Sequence, residues 1–87
     1  MRFEVATAAG AIGDEGATPL LIALSRDEDA EVQEAAIGAL GEIGGEMAKG
    51  ALRDLLDEPA ERLREAALDA LREAEFAEDP LGVRVIN

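Results

Sequence analysis

Apolar residues between Ala30 and Ile43 follow one another at steps of three and one positions. An α-helix places such positions on one face, so this segment is predicted to form an amphipathic helix. Asp29 is the expected N-cap, and Gly44 and Gly45 are expected to end the helix because glycine readily adopts the left-handed conformation. The predicted inward residues are Val32, Ala35, Ala36, Ala39, Leu40 and Ile43, with Glu31, Glu34, Gly38 and Glu42 on the opposite face.

This pattern recurs along the chain at a fixed period. Gly10 and Gly13 return as Gly41 and Gly44, a spacing of 31 residues, and residues 32–40 return in similar form at residues 63–71. A period of this size is typical of helical units that stack side by side and share one continuous core. The sequence therefore predicts an all-α solenoid in a single domain, residues 1–87.

The first copy of the unit, residues 1–25, is truncated at its start and is predicted to hold a long helix and a short one. The turn between them is expected at residues 13–16, which begin and end with glycine. Thr18 is the expected N-cap of the short helix and Pro19 its first residue, where the missing N–H costs nothing. The expected inward residues are Val5, Ala8, Ala9 and Ile12 of the long helix and Leu20, Leu21 and Leu24 of the short one.

The second and third copies cover residues 30–56 and 59–76. In the second copy a further helix is predicted from about Glu46 to Leu56. The third copy is predicted to be one helix from Pro59 to about Phe76, because Arg72 stands where the earlier copies have glycine. The expected inward residues are Ala48, Ala51, Leu52 and Leu55 in the second copy, and Leu63, Ala66, Ala67, Ala70, Leu71 and Ala74 in the third.

Residues 77–87 are predicted to be a C-terminal cap or tail. Two interpretations stay open. In one, Phe76, Leu81, Val83 and Val85 fold back over the last groove as a cap; in the other, the segment is an exposed strand or tail that a partner takes up by edge pairing.

The middle copy resembles the short HEAT-like repeats of the phycobilisome-lyase type. The resemblance covers roughly residues 1–76 and implies an α-α superhelix, a right-handed solenoid of about two and a half helical hairpins with the second helices on its concave side. The family is named after proteins that handle bilin chromophores, but the repeat is widely used as a protein-binding scaffold. The residues that carry the resemblance are Val32, Ala35, Ala36, Ala39, Leu40, Gly41, Ile43 and Gly44, followed by Ala48, Leu52 and Leu55.

Two other repeat families fit less well. Thr18, Pro19 and Leu20 match the start of the ankyrin signature, but Leu21 stands where that signature has histidine. Tetratricopeptide repeats need several large aromatic residues, whereas this chain has two phenylalanines and no tryptophan or tyrosine.

Charge and composition narrow the function. The chain has 20 acidic and 8 basic residues, a formal net charge of −12, and such a surface repels the phosphate backbone of nucleic acids. It has no cysteine, which is compatible with a reducing compartment, and no apolar run long enough to span a bilayer. We expect a cytoplasmic protein that binds neither nucleic acid nor membrane.

The residue inventory also argues against catalysis. Without histidine or cysteine the chain cannot form the common zinc sites, Cys–His or Ser–His pairs, or a histidine general base. The paired acids of the turns, such as Asp27 with Asp29, are expected to cap helices rather than to hold a cation. The prediction is a non-enzyme with no metal and no cofactor.

Two surfaces are predicted to bind partners. Residues 30–43 carry three acids and no base, whereas residues 17–25 are uncharged and residues 46–56 are balanced, so the second helices present a nearly neutral face. The predicted partner-binding residues on this face, suited to a protein or an acidic peptide, are Thr18, Ile22, Arg26, Lys49 and Arg53. The alternative is that Lys49 and Arg53 are ordinary solvated side chains.

The N-terminal helix is the second such surface, because no helix is predicted to precede its apolar positions. We expect self-association into a homo-oligomer through Val5, Ala8, Ala9 and Ile12.

Three functions follow from these predictions. The first is a non-catalytic protein–protein interaction scaffold that binds on the concave face. The second is a structural or self-assembling C-terminal fragment of a longer HEAT-repeat array. The third, implied by the resemblance alone, is an accessory module of a bilin lyase-like or other enzyme.

Overall fold

The structure, a computed structural model, describes residues 2–13 and 15–78. The predicted all-α architecture is confirmed, since no strand occurs within these two ranges. Of the predicted cap or tail, residues 77 and 78 belong to the last helix instead, and residues 79–87 lie outside the described residues. Five α-helices are present in them, namely α1 (Arg2–Ile12), α2 (Thr18–Leu24), α3 (Ala30–Ile43), α4 (Gly45–Leu55) and α5 (Glu61–Glu78), with a 3-10 turn at Glu15–Ala17 before α2.

Helix α3 is the centre of the fold. Its neighbours in the first layer are α1 and α5, and it also packs against α2 and α4, which form a second layer. The first helices of the three copies are thus adjacent in space, and so are the second helices of the first two copies. This is the arrangement that a stack of helical hairpins requires.

The ends of α3 follow the local chemistry of the sequence. Asp29 has extended backbone angles (φ −85°, ψ 122°), and its Oδ1 accepts a hydrogen bond from the N–H of Glu31 at 2.8 Å. At the other end Gly44 has φ 71° and Gly45 φ 85°, and the N–H of Gly44 donates to the carbonyl of Leu40 at 2.9 Å. The predicted N-cap and glycine stop are both confirmed.

Two helix starts differ from the prediction. Thr18 lies inside α2 rather than capping it, because the preceding turn already brings Ala17 to helical angles (φ −85°, ψ −4°), and Ala17 takes the N-cap position. Helix α5 begins at Glu61, two residues after Pro59. It passes through Arg72, as expected for a copy without glycine there, and continues to Glu78, two residues beyond the predicted end.

The core runs through all three copies. The inward predictions for the second and third copies are confirmed, although Ala35, Ile43, Ala51 and Ala66 are only partly buried. Ile37, which was not predicted to be inward, is 1% exposed. The buried residues of these two copies that the pattern predicted are Val32, Ala36, Ala39, Leu40, Ala48, Leu52, Leu55, Leu63, Ala67, Ala70, Leu71 and Ala74.

The first copy departs from the prediction because α1 has α3 on only one side. Among residues 3–12 of this helix, Ala6 and Gly10 are buried and Ala9 is partly buried. The inward assignment was wrong for Val5, Ala8 and Ile12, all of which are exposed. It was also wrong for Leu20, which is 48% exposed because its neighbour Leu21 takes the inward position on α2.

Two glycines set the distance between neighbouring copies. A β-carbon placed on Gly10 would lie 2.7 Å from the Cα of Ala39, and one on Gly41 would lie 2.9 Å from the Cα of Ala70. Both contacts join a glycine to an alanine of the next copy, and both pairs are related by the 31-residue period. Since these distances leave no room for a side chain, glycine is what allows the helices to approach so closely.

We predict opposite effects for two glycine substitutions within α3. Gly41→Ala should lower the free energy of unfolding by about 1–2 kcal/mol, because the overlap with the Ala70 backbone outweighs the gain in helix propensity. Gly38→Ala is the matched control and should raise it by about 0.5–1 kcal/mol, since its β-carbon meets nothing within 4 Å. Urea unfolding measures both, and equal stabilisation by the two substitutions would contradict the close contact.

Candidate functional site

The layer formed by α2 and α4 differs in charge from the rest of the molecule. Residues 18–24 carry no charge, and residues 45–55 pair two acids with two bases, Lys49 and Arg53. In a chain with a net charge of −12 this is the layer on which another acidic surface meets the least repulsion.

A groove of about 340 Å³ opens in this layer where the first two copies meet. It is lined by Glu15, Gly16, Thr18 and Pro19 at the start of α2 and by residues 44–47 at the start of α4. We call it the junction groove. Gly44 and Gly45 contribute backbone and no side chain, Met47 contributes an apolar side chain, and Glu15 and Glu46 contribute carboxylates. The groove therefore suits an apolar group and disfavours an anion.

The predicted partner-binding residues are brought to the same layer but to different depths. Thr18 is 4% exposed and Lys49 is 7% exposed, so both lie beneath the surface, and Ile22 is partly buried. The Nζ of Lys49 lies 3.5 Å from an Oε of Glu46. Arg26 and Arg53 are exposed.

The two exposed arginines differ in their partners. Arg26 donates through Nη1 to the carboxylate of Glu58, which lies in the turn after α4, so this pair joins the end of one copy to the end of the next. Arg53 forms no ion pair with any residue that the structure describes. It is thus the cation of this layer whose charge is most readily available to a partner.

Two exposed apolar residues of this layer were missed by the sequence analysis. Leu20 is 48% exposed and Met47 is 61% exposed. For Leu20 a signal was present, because adjacent leucines at positions 20 and 21 cannot both face the same way on a helix. Met47 likewise falls outside the inward set of α4, which places it at the surface.

The acids of the turns accept backbone hydrogen bonds or pair with a cation. The Oδ1 of Asp27 accepts from the N–H of Asp29 at 2.9 Å, Asp29 in turn caps α3, and Glu58 pairs with Arg26. The predicted capping role of Asp29 is confirmed.

The predicted self-association residues lie on α1, apart from the junction groove. Val5 is 44% exposed, Ile12 is 77% exposed and Ala8 is exposed, whereas Ala9 packs partly against the core.

Stacked helical hairpins with recurring glycine contacts define the chain as an α-solenoid. Residues 1–72 match the family model for HEAT repeats, and the chain belongs to the HEAT-repeat family. No curated protein matches the chain at a significant level. Among the described residues, no helix combines the length and the apolar character needed to cross a bilayer.

The depths of Lys49 and Arg53 predict different effects of charge reversal on stability. Lys49→Glu should lower the free energy of unfolding by about 2 kcal/mol or more, because it places a buried carboxylate next to Glu46. Arg53→Glu, the matched control on the same helix, should change it by less than about 0.5 kcal/mol. Thermal and urea unfolding measure both, and a Lys49→Glu protein as stable as the control would show that Lys49 is solvated.

Proposed function

We propose that the chain is a non-catalytic protein–protein interaction scaffold whose partner binds on the α2–α4 layer. HEAT repeats commonly mediate interactions between proteins. The observation that carries the proposal for this chain is the junction groove, which lies beside exposed Met47 in the layer that has the least net charge.

The proposed partner is a protein segment or peptide that carries one apolar anchor and at least one carboxylate. The anchor would enter the junction groove, where Met47 and Pro19 supply apolar contact. The carboxylate would pair with Arg53, since Glu15 and Glu46 repel an anion at the groove itself. A partner of this kind gains specificity from the spacing between its two groups.

The remaining predicted residues take supporting roles in this proposal. Thr18 and Lys49 lie beneath the surface and would hold the floor of the site rather than contact the partner directly. Ile22 would add partly buried apolar contact, and Arg26 would contribute only as far as it gives up its pairing with Glu58.

Two finer proposals rest on the sequence. We infer the phycobilisome-lyase-type subgroup from the residues of the middle copy, and with it the accessory role beside a bilin lyase-like or other enzyme as the alternative function. We place the protein in the cytoplasm because a chain without cysteine suits a reducing compartment.

Affinity capture with surface variants tests the proposed scaffold. The chain is immobilised, proteins from native extract are captured and identified, and the affinity for each candidate is measured with purified protein. Arg53→Glu and Met47→Asp should each weaken a true partner at least about tenfold, because each removes one of the two proposed contacts. Arg72→Glu is the matched control, since Arg72 is an exposed arginine of α5 with its own neighbour Asp69.

Three outcomes are informative in this experiment. Loss of affinity with both α4 variants and not with Arg72→Glu supports the proposal. Equal losses of affinity with Arg53→Glu and Arg72→Glu would show that binding depends on the net charge of the chain and not on a contact with Arg53, which would contradict the proposal. A partner that binds all three variants like the wild type would contradict binding on the α2–α4 layer.

A further inference from the structure

Helix α1 exposes a face that the next copy buries. Val5, Ala8 and Ile12, which we call the α1 outer face, correspond through the 31-residue period to residues 36, 39 and 43 of α3. In α3, Ala36 is 0% exposed and Ala39 is 3% exposed, and Ala39 lies against Gly10 of α1. The α1 outer face occupies the equivalent positions of the first repeat and is exposed. It therefore has the residue pattern of a surface that packs against another helix.

Head-to-tail stacking onto a second molecule of this chain, in which the repeat would simply continue, does not fit this face. In both internal contacts a glycine of the preceding helix meets an alanine, and the glycine has no room for a β-carbon. In head-to-tail stacking, α5 of the second molecule would pack against α1. Helix α5 carries Arg72 at the glycine position, with a side chain 71% exposed. A side chain of that size would hold α5 away from Ala8.

We propose that the α1 outer face pairs with the same face of a second molecule of this chain, with the two α1 helices antiparallel about a two-fold axis. The spacing of the residues suits this symmetry. Ala8 lies near the middle of α1, Val5 precedes it by three positions and Ile12 follows it by four. In an antiparallel pair centred between Ala8 and Ala9, Val5 of each molecule faces Ile12 of the other, and the small central alanines let the helices approach.

Charge favours this face over α3 and α5 for contact between two molecules. Among positions 3–13 of the chain, Glu4 is the only charged residue, whereas α3 and α5 present many acids. In the antiparallel pair the two Glu4 residues lie toward opposite ends, roughly 13 Å apart along the axis by the helical rise, which exceeds the Debye length of about 8–10 Å. Repulsion between two strongly acidic chains is therefore smaller here than it would be at α3 or α5.

The size of the face predicts a weak dimer. Two single helix faces of this length bury on the order of 500–800 Å² in total, less than the roughly 1,200 Å² of stable specific interfaces. We therefore expect a dissociation constant of about 10 µM to 1 mM and a protein that is monomeric when dilute.

Sedimentation equilibrium between about 5 µM and 2 mM in physiological salt tests the dimer. The wild type should shift from monomer to dimer mass across this range. Ala8→Arg should stay monomeric throughout, because it places two long cations beside the two-fold axis, where the helices approach most closely. Thr7→Arg is the matched control: it adds the same charge at an exposed position of the same helix, off the proposed face, and should dimerise like the wild type. Circular dichroism checks that both variants fold.

Cysteine cross-linking tests the geometry, since the chain has no cysteine of its own. Ala8→Cys should form a disulfide-linked dimer with itself, and a mixture of Val5→Cys and Ile12→Cys should cross-link faster than either protein alone. A wild type that stays monomeric at 2 mM, or a dimer that survives Ala8→Arg, would overturn the proposal. Leu68 is 42% exposed on α5, one turn before Arg72. Preferential cross-linking of Ala8→Cys to Leu68→Cys would indicate head-to-tail stacking and would also overturn the proposal.

Discussion

The whole fold depends on how closely the first helices of neighbouring copies approach one another. Gly10 against Ala39 and Gly41 against Ala70 bring these helices to a distance that no side chain would allow. Helix α3 takes part in both contacts, with Ala39 on one side and Gly41 on the other. The packing of α1 against α3 is therefore repeated between α3 and α5. The second layer follows, since α2 and α4 are joined to these helices by short turns.

The same contact explains why the two ends of the stack differ. At the α1 end the alanine position is present and exposed, as Ala8. At the α5 end the glycine position is filled by Arg72, which turns an apolar contact site into a charged surface. The junction groove arises from the repetition as well, since it forms where the starts of two second helices lie side by side.

Much of the fold was predictable from the sequence, and the failures to predict burial on α1 and at Lys49 have a common physical cause. The period, the five helices, the Asp29 cap and the glycine stop are local features, and each was confirmed. The inward face of α1 was not predictable from its apolar positions, because a helix covered on one side only buries Ala6 and Gly10 and leaves Val5 and Ile12 exposed. Burial of Lys49 was equally hidden, since it depends on how α4 lies against its neighbours. Sequence patterns therefore define the faces of a repeat, while the number of neighbours decides which face is buried.

The account is tested most directly by detecting the two glycine–alanine contacts between neighbouring repeats in solution. Nuclear Overhauser effects between the α-protons of Gly10 and the methyl group of Ala39, and between those of Gly41 and the methyl group of Ala70, report proton distances below about 5 Å. The account predicts both effects, with similar intensity, in the dilute monomer. Absence of either one in a folded, fully assigned sample would contradict a stack built on a single repeated glycine–alanine contact.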